Sequence, residues 1–264
     1  MSNIKIALEG VTKIFKTKNG PITAVKDVTF DVQKGDFISL VGPSGCGKST
    51  VLRLIDGIID PTEGAITVDG ISYTKNPPQE VLNKIGFVFQ NPNLLPWLTV
   101  RENLTLPLKT LHLTEKKWQD RADELLQMVG LQNQVNMYPS EISEGMKQRL
   151  GVIRAMVYDP EILFMDEPFG YLDELTREIL DMEILKIWEN TGKTIIFITH
   201  NVAEAILMAS KVYIMGTNPG RIISELTVDL PYPRKHEFME TEYFAETEAK
   251  VMNLIGNVSL DKIK

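Results

Sequence analysis

The sequence predicts an α/β fold with a mostly parallel sheet, an N-terminal antiparallel β subdomain and an inserted α-helical subdomain. Three observations indicate this architecture. The first 75 residues contain short runs in which apolar and polar residues alternate. The middle of the chain carries apolar residues at helical spacing. The last third alternates short apolar runs with helical stretches, which is typical of parallel strands joined by crossover helices.

The composition is that of an ordinary globular protein, and it argues against several classes. The chain has 264 residues, of which 43% are hydrophobic and 24% are charged, so it can bury a sizeable core. A net charge of −7 without a long Lys/Arg run argues against a nucleic-acid partner. The single cysteine, Cys46, cannot form an internal disulfide, which fits a reducing compartment.

No apolar run reaches the length needed to span a membrane, and the opening segment "MSNIKIALEG" lacks the apolar core of a signal peptide. We therefore expect any membrane role to come through a partner.

The N-terminal elements are predicted to be strands. The segments "KIALEGVTKIF", "AVKDVTFDV" and "GAITVDG" alternate apolar and polar residues between turn residues. In contrast, "FISLV" (Phe37–Val41) is continuously apolar, as expected for a strand covered on both faces. A helix is predicted to follow from Ser49 to about Ile55.

Roughly Gln90–Tyr158 is predicted to be a mostly helical insertion. One apolar stripe ends at Gly130, a residue suited to the end of a helix; it consists of Trp118, Ala122, Leu125 and Val129. A second stripe consists of Met146, Leu150, Ile153 and Val157.

The C-terminal part is predicted to alternate strands and helices. "ILFMD", "TIIFITH" and "KVYIMG" are strands, and "NVAEAILMAS" is a short helix. A longer helix that ends near Gly192 is marked by Leu175, Ile179, Met182 and Leu185. After "PYPR" the chain turns acidic and helix-prone, so we expect one domain over residues 1–230 and a helical tail over 231–264.

The stretch "GPSGCGKST" (Gly42–Thr50) matches the phosphate-binding pattern G-x-x-x-x-G-K-S/T of P-loop NTPases. A glycine-rich turn is the alternative, but a buried strand precedes this stretch and a helix follows it. Glycines let backbone N–H groups wrap phosphates, Lys48 reaches the β and γ oxygens, and the Ser49 hydroxyl joins a Mg²⁺ shell. The predicted nucleotide contacts are Gly42, Pro43, Ser44, Gly45, Cys46, Gly47, Lys48, Ser49 and Thr50.

Two adjacent acids, Asp166 and Glu167, end the apolar strand "ILFMD". Ligands bind at the carboxyl ends of strands in open α/β sheets. Buried carboxylates are costly unless a metal or a reacting water uses them. We therefore assign Asp166 to Mg²⁺ and Glu167 to the attacking water, with a structural ion pair as the alternative.

Together these features resemble the ATP-binding cassette (ABC) ATPases along nearly the full chain. The family's landmarks occur in order at Phe15, Gly42–Thr50, Gln90, Ile142–Met146, Asp166–Glu167, Leu172–Asp173 and His200. The resemblance implies ATP and Mg²⁺, with Phe15 stacked on adenine. It places Ser49, Gln90 and Asp166 at the metal, and it gives catalytic roles to Lys48, Gln90, Glu167 and His200.

The resemblance also implies a dimer in which each ATP lies between one subunit's phosphate loop and the signature turn of a second copy. Ser143 and Gly145 would then face the γ-phosphate at a helix start, where free N–H groups and the helix dipole favour an anion. Glu144 replaces the family's usual glycine, and because a carboxylate would repel the γ-phosphate, we expect it to point toward Lys147. Two further departures are Met146 in place of a common glutamine and Tyr171 in place of a small residue.

Simpler alternatives exist for single landmarks. Phe15 could be an ordinary core residue, Gln90 could cap a turn, and His200 could satisfy local hydrogen bonds. After Gln90, the apolar residues Leu94, Leu95, Trp97 and Leu98 lie among prolines. They either pack in the core or line a groove for a helix from another protein. The resemblance favours a groove for the coupling helix of a membrane permease.

We therefore expect an ATP-hydrolysing importer subunit that acts as a homodimer, peripheral on the cytoplasmic face of the membrane. An extracytoplasmic substrate-binding protein would be an indirect partner. "FVFQNPNLLPWLTVRENLTLPL" and "GTNPGRIISELTVDLPYPR" look like cassettes of nitrate, sulfonate and taurine importers.

The rival classes are an exporter cassette, a chromosome or DNA-repair ATPase, and a ribosome-associated ATPase. The "GRI" segment and the short tail favour import over export. A DNA-repair type would carry long heptads, and a ribosome-associated type would carry two phosphate loops and a basic character.

Overall fold

The protein, described as a computed structural model over residues 3–170 and 172–260, contains two β-sheets and eight α-helices within those residues. Side chains are described as far as residue 256, and Tyr171 lies outside the described residues. The strands are β1 Ile4–Thr17, β2 Gly20–Gln33, β3 Phe37–Val41, β4 Glu63–Val68, β5 Ile71–Tyr73, β6 Ile85–Val88, β7 Ile162–Asp166, β8 Thr194–Ile198, β9 Lys211–Gly216 and β10 Arg221–Thr227. The helices are α1 Lys48–Ile55, α2 Gln79–Leu82, α3 Val100–Thr110, α4 Lys116–Met128, α5 Glu144–Met156, α6 Glu174–Thr191, α7 Val202–Met208 and α8 Glu242–Leu260.

The two sheets confirm the predicted α/β class. An antiparallel sheet of order β2-β1-β4-β5 forms the N-terminal part. The second sheet has the order β10-β9-β3-β8-β7-β6, and only its β9–β10 pair is antiparallel among the described strands.

The central strands β3, β7 and β8 are buried along their whole length. They are neighbours in the order β3-β8-β7 and run parallel, so their carboxyl ends meet at one edge of the sheet. The phosphate loop follows β3, Glu167 follows β7, and Thr199 and His200 follow β8. This topology brings together residues that lie far apart in the sequence.

Alternate residues of the buried strands enter two separate cores, because side chains of a strand point to opposite faces in turn. On β3, Phe37 and Val41 face the core that contains the helices of the insertion. Ile38 and Leu40 face the core between the two sheets, which also contains α1. Burial on both faces explains why these strands are continuously apolar.

The helical insertion is confirmed as α3, α4 and α5. A capping box begins α3, because the Thr99 side chain accepts from Glu102 N–H while the Glu102 carboxylate accepts from Thr99 N–H. Helix α4 ends before Gly130, whose φ of +70° suits a residue without a Cβ.

Several local predictions need correction. Helix α1 begins at Lys48 rather than at Ser49, and the sequence reading did not predict the strands β5, β6 and β10. Helix α6 has the predicted extent, but Leu175 and Ile179 of its predicted stripe are 69% and 56% exposed. Leu185 of the stripe is buried and Met182 packs partly against the core, and the helix also buries Leu180 and Ile184. The stripe therefore identified the helix, but its buried face only in the C-terminal half.

The C-terminal helix α8 packs against α7 and β9, with Phe244 and Val251 buried. Whether residues 231–264 are a unit distinct from residues 1–230 stays a prediction. Within the described chain, no helix combines the length and the apolar character required to cross a bilayer.

Candidate active site

The phosphate loop forms a tight turn that leaves the start of α1 open to an anion. Gly47 precedes the helix with a φ of +101°, and no side chain caps the first turn. The first N–H groups of an uncapped helix attract anions. Lys48 is 6% exposed, and its ammonium donates to the carbonyl oxygens of Gly42 at 2.8 Å and Pro43 at 3.3 Å.

Ser49 and Asp166 form a pair of oxygen donors at the edge of the sheet. Ser49 Oγ donates to Asp166 Oδ1 at 2.8 Å, although the residues are 117 positions apart. Burial raises the pKa of Asp166, and the bond from Ser49 opposes that shift. Hydroxyl and carboxylate oxygens are hard donors of the kind that Mg²⁺ prefers. The residues present therefore fit a magnesium ion.

Glu167 is held by backbone and side-chain contacts immediately after β7. Its N–H donates to Ile198 O at 2.9 Å, and its φ of +48° is uncommon for a residue other than glycine. Glu167 Oε2 accepts from Gln90 Nε2 at 3.1 Å and lies 3.7 Å from His200 Nδ1. The structure thus brings Gln90, Glu167 and His200 together, as the sequence predicted. Backbone strain of this kind occurs at functional sites.

The signature turn begins α5, and its Ser143 and Glu144 are exposed. Ser143 is the N-cap, and its Oγ accepts from Met146 N–H at 3.3 Å. Glu144 is 71% exposed and binds Lys147 Nζ at 2.5 Å, which confirms that its carboxylate points toward Lys147. Gly145 lies close to Leu172 of the same chain, because a Cβ built on it would be 3.2 Å from Leu172 Cδ2.

Phe15 lies outside the hydrogen-bonded group that contains Glu167. Its ring is 38% exposed, and Lys13 Nζ lies 5.2 Å from the ring centroid. The alternative that Phe15 is a core residue is therefore wrong. A half-exposed aromatic ring is free to stack on a flat ligand.

The sequence reading missed Gln148, a polar residue on the buried face of α5. It is 1% exposed, and its Nε2 donates to Gln90 O at 3.3 Å and to Pro168 O. Gln148 therefore ties the signature helix to the residues around both Gln90 and Glu167. A polar residue two positions before Leu150 of the apolar stripe was the available signal.

The segment after Gln90 is shaped by Asn103, which is fully buried in α3. Its Nδ2 donates to the carbonyl oxygens of Leu95, Leu98 and Thr99, and its Oδ1 accepts from Leu95 N–H. Leu94 packs partly against the core, whereas Trp97 is 68% exposed. Core packing therefore holds in part for Leu94, whereas a groove for a partner helix stays a prediction.

A groove of about 410 Å³ lies between the helical insertion and the sheet. Arg154, which lines it, donates to the carbonyl oxygens of Pro92 and Asn93 in the segment after Gln90. The walls of the groove are mostly apolar and include Phe87, Phe89, Leu106, Leu111 and Tyr158. Asp56 also lines it, and burial raises the pKa of this carboxyl to about 7.

The fold and the arrangement of these groups define a P-loop ATPase of the kind that contains a helical insertion. The sequence profile of the ABC transporter family matches residues 25–170, which is more than half of the chain. The protein belongs to the ABC transporter family, and it binds and hydrolyses ATP.

Relatives named as import ATP-binding proteins match almost the whole chain. The aliphatic sulfonates import ATP-binding protein SsuB of Bacillus cereus is 40% identical over 94% of both chains. The nitrate import ATP-binding protein NrtD of Synechococcus elongatus is 38% identical over 93% of this chain and 89% of its own. The taurine import ATP-binding protein TauB of Pelagibacter ubique is 39% identical over 95% of this chain and 94% of its own.

Solved structures give the same fold. A dimeric, post-hydrolysis structure of the ATP-binding cassette MJ0796 bound to ADP and Pi superposes with a TM-score of 0.78 at 33% identity. It covers 86% of this chain and 100% of the cassette.

Proposed function

We propose that this chain is the ATP-hydrolysing subunit of a membrane importer for a small anion or nutrient such as nitrate, sulfonate or taurine. The observation that carries the proposal is the nearly full-length similarity to import ATP-binding proteins named for these three substrates. The permease and the binding protein contact the substrate, so residues of this chain do not select among the three.

The catalytic unit in this proposal is a head-to-tail dimer of two copies. The phosphate loop of one copy holds ATP, and Ser143 and Gly145 of the second copy complete the site from the opposite side. Two features support this: Ser143 is exposed at the start of α5, and the similar cassette MJ0796 is dimeric in its solved structure. A helix start can bind the γ-phosphate through its N–H groups. Phe15 stacks on the adenine.

Each group at the sheet edge has one task in the proposed reaction. The loop N–H groups and Lys48 hold the β- and γ-phosphates. Ser49, Asp166 and Gln90 hold Mg²⁺, which neutralises phosphate charge when bound. Glu167 orients and deprotonates the attacking water, and His200 stabilises the γ-phosphoryl group together with the partner's Ser143.

The permease docks at the groove beside the segment that follows Gln90, through a helix from its cytoplasmic side. The mostly apolar walls of the groove support this location. Gln90 contacts Glu167 at one end of the same segment, so movement of the docked helix reaches the catalytic acid. The chain would be peripheral on the cytoplasmic face, with the extracytoplasmic binding protein as an indirect partner.

Mixed dimers test the composite site. We expect Lys48→Ala and Ser143→Arg each to abolish ATPase activity, because each removes one half of both sites. Mixing the two variants forms some dimers with one intact site, so ATPase activity should reappear. A mixture that stays inactive while heterodimers are shown to form would contradict the shared site.

Transport tests the substrate class. The chain would be expressed with the permease that co-purifies with it and with that permease's binding protein, and uptake of labelled nitrate, taurine and an alkanesulfonate would be measured. We expect accumulation of one of them, lost in Glu167→Gln. Accelerated efflux would instead favour an exporter.

A further inference from the structure

Two buried carboxyl groups that have no task in the proposed ATP hydrolysis face each other near the turn that carries His200. Asp181 lies on α6 and is 5% exposed, and Glu204 lies on α7 and is 7% exposed. The two side chains are within hydrogen-bonding reach of each other. Carboxyl groups buried to this degree are rare unless they are paired.

The geometry requires a hydrogen between the two groups. Asp181 Oδ1 and Glu204 Oε1 are buried atoms without a hydrogen-bond donor from another described residue. Two ionised carboxylates are acceptors only, and they repel each other at this range. One proton between them satisfies an oxygen of each group and leaves the pair with a single negative charge. Proton-sharing carboxyl pairs form for this reason.

Glu204 also holds the turn that carries His200. Its Oε2 accepts from the Thr199 hydroxyl, and Thr199 Oγ1 in turn accepts from Asn201 N–H at 3.0 Å. The Asn201 side chain then accepts from Glu204 N–H at 3.1 Å. Both neighbours of His200 in this turn are therefore held in place. Thr199 is bonded to Glu204, and Asn201 is bonded to Thr199 and to Glu204.

The pair is connected to the other end of the site through Arg177. This residue lies on α6, one turn before Asp181, and its Nη2 donates to Leu172 O at 3.2 Å. Its charge favours the ionised forms of both Asp181 and Glu204. Leu172 in turn lies beside Gly145 of the signature turn.

We propose that Asp181 and Glu204 share one proton, and that this pair fixes α6 against α7 and so positions His200 for ATP hydrolysis. The inference rests on the proposed role of His200. Asp181 is the proton donor of the pair, and Glu204 is the acceptor that also receives the Thr199 hydroxyl. Both are positioning residues, because neither touches the reacting atoms.

Loss of the shared proton should displace His200. Burial and the charge of Glu204 raise the pKa of Asp181 to about 9, and burial raises the pKa of Glu204 as well. Above that pH two carboxylates face each other and push α6 and α7 apart. The other ionisable or charged groups around the pair are Glu174, Arg177 and Glu178 on α6, His200 after β8, and His236. Arg234, which follows β10, donates to Ile206 O and Ala209 O at the C-terminal end of α7.

The test compares Asp181→Asn with Asp181→Ala in the full-length dimer. Asparagine still donates a hydrogen bond to Glu204 but cannot lose the proton, whereas alanine removes the bond. We expect Asp181→Asn to keep kcat within about twofold at pH 7 and to move the alkaline decline of kcat upward by about one pH unit, with KM for ATP unchanged. Asp181→Ala should lower kcat at least about tenfold with little change in KM. Glu183→Gln, which changes a partly exposed carboxylate of the same helix, is the matched control.

Thermal unfolding separates a positioning role from a purely structural one. The folded wild type keeps a proton that the unfolded chain releases above about pH 4, so its stability should fall as pH rises toward 9. The equilibrium constant of unfolding should rise by up to about tenfold per pH unit in this range. Asp181→Asn should lack that component. If it alters the unfolding profile but leaves the kcat profile unchanged, the pair is only structural and the proposal fails. If neither profile changes, no proton is shared.

His200→Ala distinguishes this inference from the proposed function. Full ATPase activity of that variant would remove the proposed role of His200 itself. An inactive His200→Ala combined with an unchanged alkaline decline in Asp181→Asn would overturn only the carboxyl pair.

Discussion

Gln90 donates a hydrogen bond from its side-chain amide to Glu167 Oε2 at 3.1 Å, across 77 positions of sequence. The same carboxylate oxygen lies 3.7 Å from His200 Nδ1. One oxygen atom therefore connects the segment beside the groove, the end of β7 and the end of β8. A change in the position of Gln90 alters the surroundings of the proposed catalytic acid directly.

Glu167→Gln should lower ATP turnover by at least about a hundredfold, because an amide cannot accept a proton from the attacking water. ATP binding should remain, since Lys48 and the loop N–H groups are untouched. The variant should accumulate as a dimer with trapped ATP. Steady-state ATPase rates, nucleotide binding and size-exclusion chromatography with light scattering would measure the three effects.

The control for that prediction is Glu183→Gln, which alters a partly exposed carboxylate paired with Lys186 on α6. It should hydrolyse ATP at the wild-type rate. Normal hydrolysis by Glu167→Gln would remove the role assigned to this residue.

Glu144→Gly should leave ATPase activity equal or higher. The carboxylate is 71% exposed and bonded to Lys147, and an exposed ion pair contributes about 0.5 kcal/mol or less. Glycine lacks a side chain that would have to be kept away from a γ-phosphate, although it also costs some helix propensity. ATPase rates and unfolding midpoints check both effects. A collapse in rate at unchanged stability would show that Glu144 contributes to catalysis.

Much of the site was predictable because its residue types recur at fixed places relative to buried strands. Continuously apolar strands located Asp166, Glu167 and His200 at strand ends, and parallel pairing then required that they meet. The phosphate loop carries its chemistry in a contiguous segment, so no tertiary contact was needed to find it.

The rest depends on contacts between distant segments. Gln148 and Asp181 are polar residues whose importance comes only from what α5 and α6 pack against, and no local pattern encodes this. The outward direction of Leu175 and Ile179 likewise follows from tertiary packing, because spacing fixes a helix stripe but not its orientation. The β10 strand was missed because its burial pattern is that of a partly exposed edge strand.

Gly47→Ala should impair both stability and ATP binding. The position has a φ of +101°, and an added Cβ would lie 2.5 Å from Val25 Cγ1. We expect a loss of about 2 kcal/mol or more in the free energy of unfolding, and at least tenfold weaker ATP binding because the loop must shift. Gly70→Ala is the matched control, since φ there is +76° but nothing lies within 4 Å of the added Cβ. Equal losses in the two variants would show that backbone strain, rather than the contact with Val25, accounts for the effect.

Asp56→Asn should stabilise the isolated protein at neutral and alkaline pH. Burial raises the pKa of Asp56 to about 7, well above that of the unfolded chain. Between about pH 4 and pH 7 the folded protein holds a proton that the unfolded chain has released, so this group makes stability fall as pH rises. The raised pKa corresponds to a loss of about 4 kcal/mol in the free energy of unfolding once the pH exceeds the folded-state pKa. Because asparagine still buries a polar group, we expect Asp56→Asn to recover about 2 kcal/mol of it at pH 8.

Urea unfolding of Asp56→Asn and of Asp120→Asn, an exposed carboxylate on α4, would check this pH dependence. Asp120→Asn should follow the wild-type curve throughout. Asp56→Asn should depart from it progressively between pH 4 and pH 7 and keep a constant advantage above pH 7, where Asp56 is ionised in both states of the wild type. The Asp181 pair should make the free energy of unfolding fall with pH up to about pH 9. That decline above pH 7 should therefore persist in Asp56→Asn. Parallel curves for Asp56→Asn and the wild type across pH 4 to 7 would show that the groove leaves this carboxyl fully solvated.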